Sequence, residues 1–204
     1  MTDPYADIPA LHIEPRARGW EGSHSPALFD HVKDAQTVIE VGSFMGLSVV
    51  WMAQANPSAR FYCVDTFLGS PEISEADMDG IPHQHGRPML LERFLSNMIA
   101  AGISGRVTPI IQTSTSGAKI LRAQGVVADL IYIDAGHDYL ECYSDILNYL
   151  PLLRRGGVMI VDDYQSFPGV RGAVERTMIE AGLCCELRDG KAILRQKYRL
   201  QVEE

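Results

Sequence analysis

Short apolar runs recur along this chain with helical segments between them, and three of the runs end on acids. Residues 37–41, 61–65, 107–111, 129–134 and 157–163 read as strands. Helical spacing falls between them at 46–55, 89–100, 117–123, 139–153 and 170–181. The clearest case is Leu91, Phe94, Leu95 and Met98 at i, i+3, i+4 and i+7. Strands that alternate with helices in this way form a parallel sheet covered on both faces, because each crossover helix must pack back onto the sheet. Ligands of such sheets collect at the carboxyl ends of the strands. Asp65, Asp134, Asp162 and Asp163 therefore belong to one edge of the fold.

The expected architecture is a doubly wound, mostly parallel α/β sheet. Five strands come from the alternation and two from a C-terminal hairpin at 183–187 and 192–194, which Asp189-Gly190 joins as a tight turn. A chain of 204 residues suits one domain, here 24–204. Residues 1–23, with Pro4, Pro9, Pro15 and Gly19, read as an N-terminal arm, and Ser25-Pro26 opens a short helix to Asp34. The stretch 67–88 breaks the rhythm with three prolines and three glycines and reads as a lid-like insert. Its His83 and His85 are expected on an exposed loop, whereas Trp51 and Met52 are expected to pack on the sheet.

Composition narrows the partners. A formal charge of -8 with scattered basic residues argues against nucleic acid. No apolar run nears the roughly 20 residues that span a bilayer, and the N-terminus lacks the regions of a signal peptide, so a cytoplasmic location is expected. Cys63, Cys142, Cys184 and Cys185 have no Cys-x-x-Cys spacing and read as reduced core thiols.

The segment Glu40-Val41-Gly42-Ser43-Phe44-Met45-Gly46-Leu47-Ser48 joins the first strand to the next helix. Glycines there let a ligand approach the backbone, and helix N-terminal amides favour its anionic groups. A dinucleotide fingerprint requires Gly-x-Gly-x-x-Gly, but only Gly42 and Gly46 are present and Glu40 stands where another glycine belongs, so a nicotinamide oxidoreductase is disfavoured. An acid at 40 suits an ammonium, and Asp65 at the end of the second strand suits ribose hydroxyls. The ligand so described has a positive end, a carboxylate and a ribose.

These residues resemble the class I S-adenosylmethionine-dependent methyltransferases, whose first motif has the form Glu-x-Gly-x-x-x-Gly and whose second strand ends in an acid. The resemblance narrows at Ile133-Asp134-Ala135-Gly136-His137-Asp138-Tyr139, at Leu150 to Gly157, and at the doublet Asp162-Asp163. Together these look like the metal-dependent branch that includes macrolide sugar O-methyltransferases. The resemblance implies a Rossmann-like sheet, S-adenosylmethionine and Mg²⁺ as cofactors, and a small hydroxylated acceptor, with a sugar or natural product preferred. It implies Asp134, Asp162 and Asp163 as metal ligands and His137 as the base. It implies Glu40, Gly42, Ser43, Gly46, Ser48, Asp65, Thr113, Ser114 and Asp134 around the cofactor. A homo-oligomer assembled with the N-terminal arm is compatible with it.

The chemistry of these residue types agrees. Mg²⁺ prefers hard oxygen donors and keeps open positions for a substrate oxygen, and an adjacent imidazole accepts the released proton. Three other readings are also open: a metal-independent methyltransferase in which the carboxylates hold loops, a non-catalytic S-adenosylmethionine-binding domain, and turn-capping roles for the acids. Tyr139 and Tyr164 flank the expected site, where packing and substrate contact are equally consistent with their type.

Overall fold

A computed structural model describes residues 3–6, 8, 25–70 and 81–197 of the chain. Most of the 1–23 arm and residues 71–80 of the insert lie outside these. In chain order the elements are α1 (Pro26–Val32), β1 (Thr37–Val41), α2 (Leu47–Ala55), β2 (Arg60–Asp65), β3 (His83–Gln84), β4 (Arg87–Pro88), α3 (Leu90–Ala100), β5 (Val107–Ile111), α4 (Ser114–Ala123), β6 (Ala128–Ile133), α5 (Tyr139–Tyr149), β7 (Leu153–Val161), α6 (Pro168–Glu180), β8 (Leu183–Arg188) and β9 (Lys191–Gln196). No helix among the described residues is long and apolar enough to cross a membrane.

Seven strands form one mixed sheet in the order β5-β2-β1-β6-β7-β9-β8, with β9 antiparallel to β7 and β8. This is the expected doubly wound arrangement with an antiparallel C-terminal hairpin. Asp189 (φ 53°) and Gly190 (φ 78°) both take the positive φ that a two-residue hairpin turn needs.

The central strands are buried on both faces, so alternate residues feed two cores. Val38, Leu130, Tyr132 and Ile160 pack with α1, α2 and α3. Ile39, Ile131, Ile133, Met159 and Val161 pack with α4, α5 and α6. The chain winds outward from β1 to β2 and β5, then returns to β6 on the other side of β1. The sheet therefore has its topological switch point between β1 and β6, where a crevice opens at the strand ends.

Several boundaries differ from the sequence reading. The helix expected over 139–153 ends at Tyr149, and a single 3₁₀ turn over Leu150–Leu152 follows, because Pro151 has no N–H to continue the α-helical ladder. The helix expected from 117 starts at Ser114, and Thr113 caps it by accepting from the Ser116 N–H at 3.3 Å. β7 starts earlier than 157 because Leu153 pairs with Ala128 before an irregularity. It ends at Val161, leaving Asp162 and Asp163 just beyond the strand.

Within the described part of the arm, the Tyr5 hydroxyl donates to the Val107 carbonyl at 2.9 Å, which docks this portion on the domain. In the insert, β3 and β4 pair as a small separate hairpin, and His83 and His85 are exposed as expected. Cys63 and Cys142 are buried thiols, but Cys184 is exposed and Cys185 half-buried. The expectation of four core thiols is corrected there: β8 is the edge strand, and one of its faces meets solvent.

Candidate functional site

The crevice between β1 and β6 is shaped by a turn that only glycine accommodates. Gly42 has φ 87°, and a Cβ on it would lie 1.9 Å from the Asp134 carbonyl oxygen. The backbones of the two strand ends thus touch: the Asp134 N–H donates to the Val41 carbonyl at 2.8 Å and the Gly42 N–H to the Val64 carbonyl at 2.9 Å. Gly46 (φ 80°) ends the turn and caps α2, with no room for a Cβ beside Met98 and Phe94. Asp65 braces the same turn, accepting from the Phe44 N–H at 2.8 Å and the Phe67 N–H at 2.7 Å.

A cavity of about 570 Å³ opens there, and Gly42, Asp65, Thr113, Ser114, Asp134 and His137 are among the residues that line it. Its far wall comes from α5, which contributes Leu140, Glu141, Ser144 and Asp145. Sequence reasoning missed these four. At i, i+1, i+4 and i+5 they fall on one helical face. Burial pushes the Asp145 carboxyl up to about 6, against the hydrogen bond with Ser114 that pulls it down. The Tyr149 hydroxyl donates to the Ser114 carbonyl at 2.8 Å and fixes the start of α4.

Glu40, Ser43, Gly46 and Ser48 are not among the residues lining this cavity. Glu40 pairs with Tyr132 in the parallel register of β1 and β6, so its side chain shares the face that packs on α2. It is fully buried, takes a hydrogen bond from the Ser48 hydroxyl, and leaves Oε2 without one of ordinary geometry. Glu40 lies behind the turn, where it accepts from Ser48 beneath the backbone of the crevice.

Burial raises the Glu40 carboxyl to about 7, with the Asp65 charge adding to the rise and the hydroxyls of Ser43 and Ser48 opposing it. The folded chain therefore binds this proton more tightly than the unfolded chain. The stability it contributes is full below pH 4.5 and is lost as pH rises to about 7, by roughly 3 kcal/mol. Glu40→Gln is expected to flatten the melting temperature between those pH values relative to wild type and to raise it at pH 8. Asp145 titrates in the same window and slopes both proteins alike, so the difference between the two curves is the readout. Parallel curves would show that Glu40 does not carry the slope.

Beyond β6, His137 is held from two sides. Its ring stacks on Phe167, with centroids 4.0 Å apart and planes 9° from parallel, and its Nε2 lies 3.0 Å from Asp163 Oδ2. Asp163 reaches it from a left-handed backbone position, φ 56°. A lone pair on Nε2 facing a carboxylate at that distance requires a proton or a cation between them. Donor atoms of Asp134, His137 and Asp163 all lie within 4.8 Å of one another, which suits a divalent ion. Burial raises the Asp134 carboxyl well above the usual range, although the residue keeps partial exposure. The charges of Asp162, Asp163 and Glu40 add to this and that of Lys191 opposes it. A cation near Asp134 reverses that pressure.

Asp162 stands apart from this trio. Its carboxylate takes the Lys191 ammonium, the Tyr132 hydroxyl and, at 2.8 Å, the Asp163 N–H. The adjacent acids of the sequence thus face two different partners. Lys191, Tyr132 and Phe167 were also missed by sequence reasoning.

A protein-family model described as a methyltransferase domain matches residues 39–164. An uncharacterized protein of Acanthamoeba polyphaga mimivirus is 24% identical over 157 residues, covering 74% of this chain, and the chain spans 63% of that curated relative's length. Among solved structures, CalS11, a TDP-rhamnose 3'-O-methyltransferase of calicheamicin biosynthesis, is similar at a TM-score of 0.58 and 20% identity over 83% of this chain and 76% of that one. The O-methyltransferase TomG of Streptomyces achromogenes, solved with S-adenosylmethionine and involved in tomaymycin synthesis, is similar at 0.58 and 18% over 86% and 79%. At such identities the structural likeness carries the fold.

Proposed function

This chain belongs to the methyltransferase-domain family, and we propose that it is an S-adenosylmethionine-dependent O-methyltransferase acting on a hydroxyl of a small molecule. The observation that carries this reading is the His137–Asp163 pair, 3.0 Å apart, beside the cleft that Gly42, Asp65 and Asp134 line. A cavity of about 570 Å³ lies within the range of roughly 300–1,000 Å³ usual for small-molecule sites. The backbone at Gly42, where a Cβ has no room, offers a close approach to an amino-acid moiety. Asp65 retains lone pairs for ribose hydroxyls, and Thr113 and Ser114, which line the same cavity, are the candidates for contact with the adenine ring. S-adenosylmethionine supplies a sulfonium methyl that passes to the acceptor oxygen, leaving S-adenosylhomocysteine.

The residues of the chain then divide the remaining work. His137 accepts the hydroxyl proton, and Asp163, whose Oδ2 lies 3.0 Å from Nε2, stabilises the imidazolium that results. Phe167 fixes the plane of the ring. The carboxylates of Asp134 and Asp163 suit Mg²⁺, which when bound would lower the pKa of a coordinated hydroxyl and leave the imidazole of His137 for the proton. Asp162 is adjacent in sequence but already bound to Lys191. Sugars and other natural-product scaffolds are the preferred acceptors, supported by the activities named for CalS11 and TomG.

A metal-independent version has one observation in its favour, the neutralisation of Asp162 by an ammonium of the chain itself. Transfer of a labelled methyl group from S-adenosylmethionine to a panel of glycosides and phenols, with and without EDTA, separates these readings. Methyl-ether formation that falls at least about tenfold in EDTA and returns with Mg²⁺ is expected. Activity indifferent to EDTA would remove the metal. Transfer confined to amines or thiols would remove the O-methyl assignment.

A further inference from the structure

Lys191 is the first residue of β9 and is 2% exposed. A buried ammonium needs a partner, and its position in the sheet supplies one. In the antiparallel register of β7 and β9, Ile160 faces Ile193 and Val161 faces Ala192, so the next step of the ladder sets Asp162 against Lys191. Their side chains form an ion pair, and the ammonium also lies 5.8 Å from the centre of the Tyr132 ring.

The carboxylate of Asp162 is occupied on both oxygens. Oδ1 takes the Lys191 ammonium and, at 2.8 Å, the Asp163 N–H, while Oδ2 takes the Tyr132 hydroxyl. A carboxylate has about four acceptor positions, and three of these are filled by donors of the chain. The bond to the Asp163 N–H also ties down the backbone of a residue at φ 56°, whose own carboxylate meets His137.

We propose that Lys191 serves as the permanent cation of Asp162, so that an exchangeable divalent ion is held by Asp134 and Asp163, beside His137 and without Asp162. This rests on the divalent-cation reading given above. An ammonium already on Asp162 opposes a second cation on the same carboxylate, and the donor atoms of Asp134 and Asp163 converge independently of it.

Mn²⁺ binding to the full chain, followed by the electron paramagnetic resonance of free Mn²⁺, tests the proposal without reference to turnover. Asp163→Asn is expected to weaken binding by about tenfold or more, and Asp162→Asn to leave it within about threefold of wild type. Lys191→Met releases Asp162 and is expected to tighten binding by about threefold or more. The two aspartate variants keep the proposal testable even where the lysine variant does not fold. Loss of Mn²⁺ affinity in Asp162→Asn as large as in Asp163→Asn would overturn it, as would unchanged or weaker affinity in a folded Lys191→Met protein. Failure of the wild-type chain to bind Mn²⁺ at all is a separate outcome that removes the divalent-cation reading, and the proposal with it.

Discussion

Alanine in place of His137 is expected to lower kcat by about 10² to 10⁴-fold while S-adenosylmethionine affinity stays within about twofold. The imidazole lines the cavity with Asp134, and its Nε2 stands 3.0 Å from Asp163. Removing the ring takes away the proton acceptor and leaves Asp163 facing open space, so the loss falls on the step in which charge moves. The parts assigned to the cofactor, Gly42, Asp65 and the start of α4, come from other elements and do not depend on the ring. The residue keeps partial exposure, and truncation therefore leaves little cavity energy to lose. Steady-state kinetics, with calorimetry of cofactor binding, check both halves of the expectation. A His137→Ala protein with wild-type kcat and an unchanged pH profile would return the imidazole to a structural role, bracing Phe167. A protein that loses cofactor affinity as well would give the imidazole a part in holding the cofactor.

The distribution of roles over this site explains which of them the sequence could disclose. Asp65 and Asp134 were legible because a strand end in an α/β sheet has a fixed meaning: both sit at the carboxyl edge that such sheets present to ligands. Gly42 was legible as a turn residue, because the strand-to-helix junction there needs a position without a Cβ. The side of the sheet on which Glu40 falls was not legible. It depends on the register of β1 with β6, which sets Glu40 beside Tyr132 and away from the cleft. Nor was the separation of Asp162 from Asp163 legible. Asp162 follows the ladder of β7 onto Lys191, while Asp163 turns to a left-handed φ and meets His137. Consecutive acids look alike in a sequence, and only a partner 29 residues away distinguishes them. The contribution of α5 was missed for a different reason. Its polar cavity face reads as an ordinary solvated helix surface until the helix is docked beside β6 and β1.

Gly42→Ala is expected to be the most damaging small substitution in the chain, costing about 3–5 kcal/mol of stability and about a hundredfold or more in S-adenosylmethionine affinity. Two effects coincide there. At φ 87° an L side chain carries a penalty of about 1–2 kcal/mol whatever its surroundings. In addition, the new Cβ would stand 1.9 Å from the Asp134 carbonyl oxygen and 2.8 Å from the Ala135 Cα, both backbone atoms. No side-chain rotation relieves such a clash, so the ends of β1 and β6 must part. That movement breaks the hydrogen bond from the Asp134 N–H to the Val41 carbonyl, 2.8 Å long, and displaces Asp134 from His137 and Asp163. Gly182→Ala provides the control, since it has φ 63° but nothing within 4 Å of the added Cβ, and should show the φ penalty alone. Urea unfolding of the three proteins, with calorimetric cofactor titration, separates the contributions. The excess of Gly42→Ala over Gly182→Ala measures the clash, and equal losses in the two would mean that the strand ends are not in the contact on which the cleft depends.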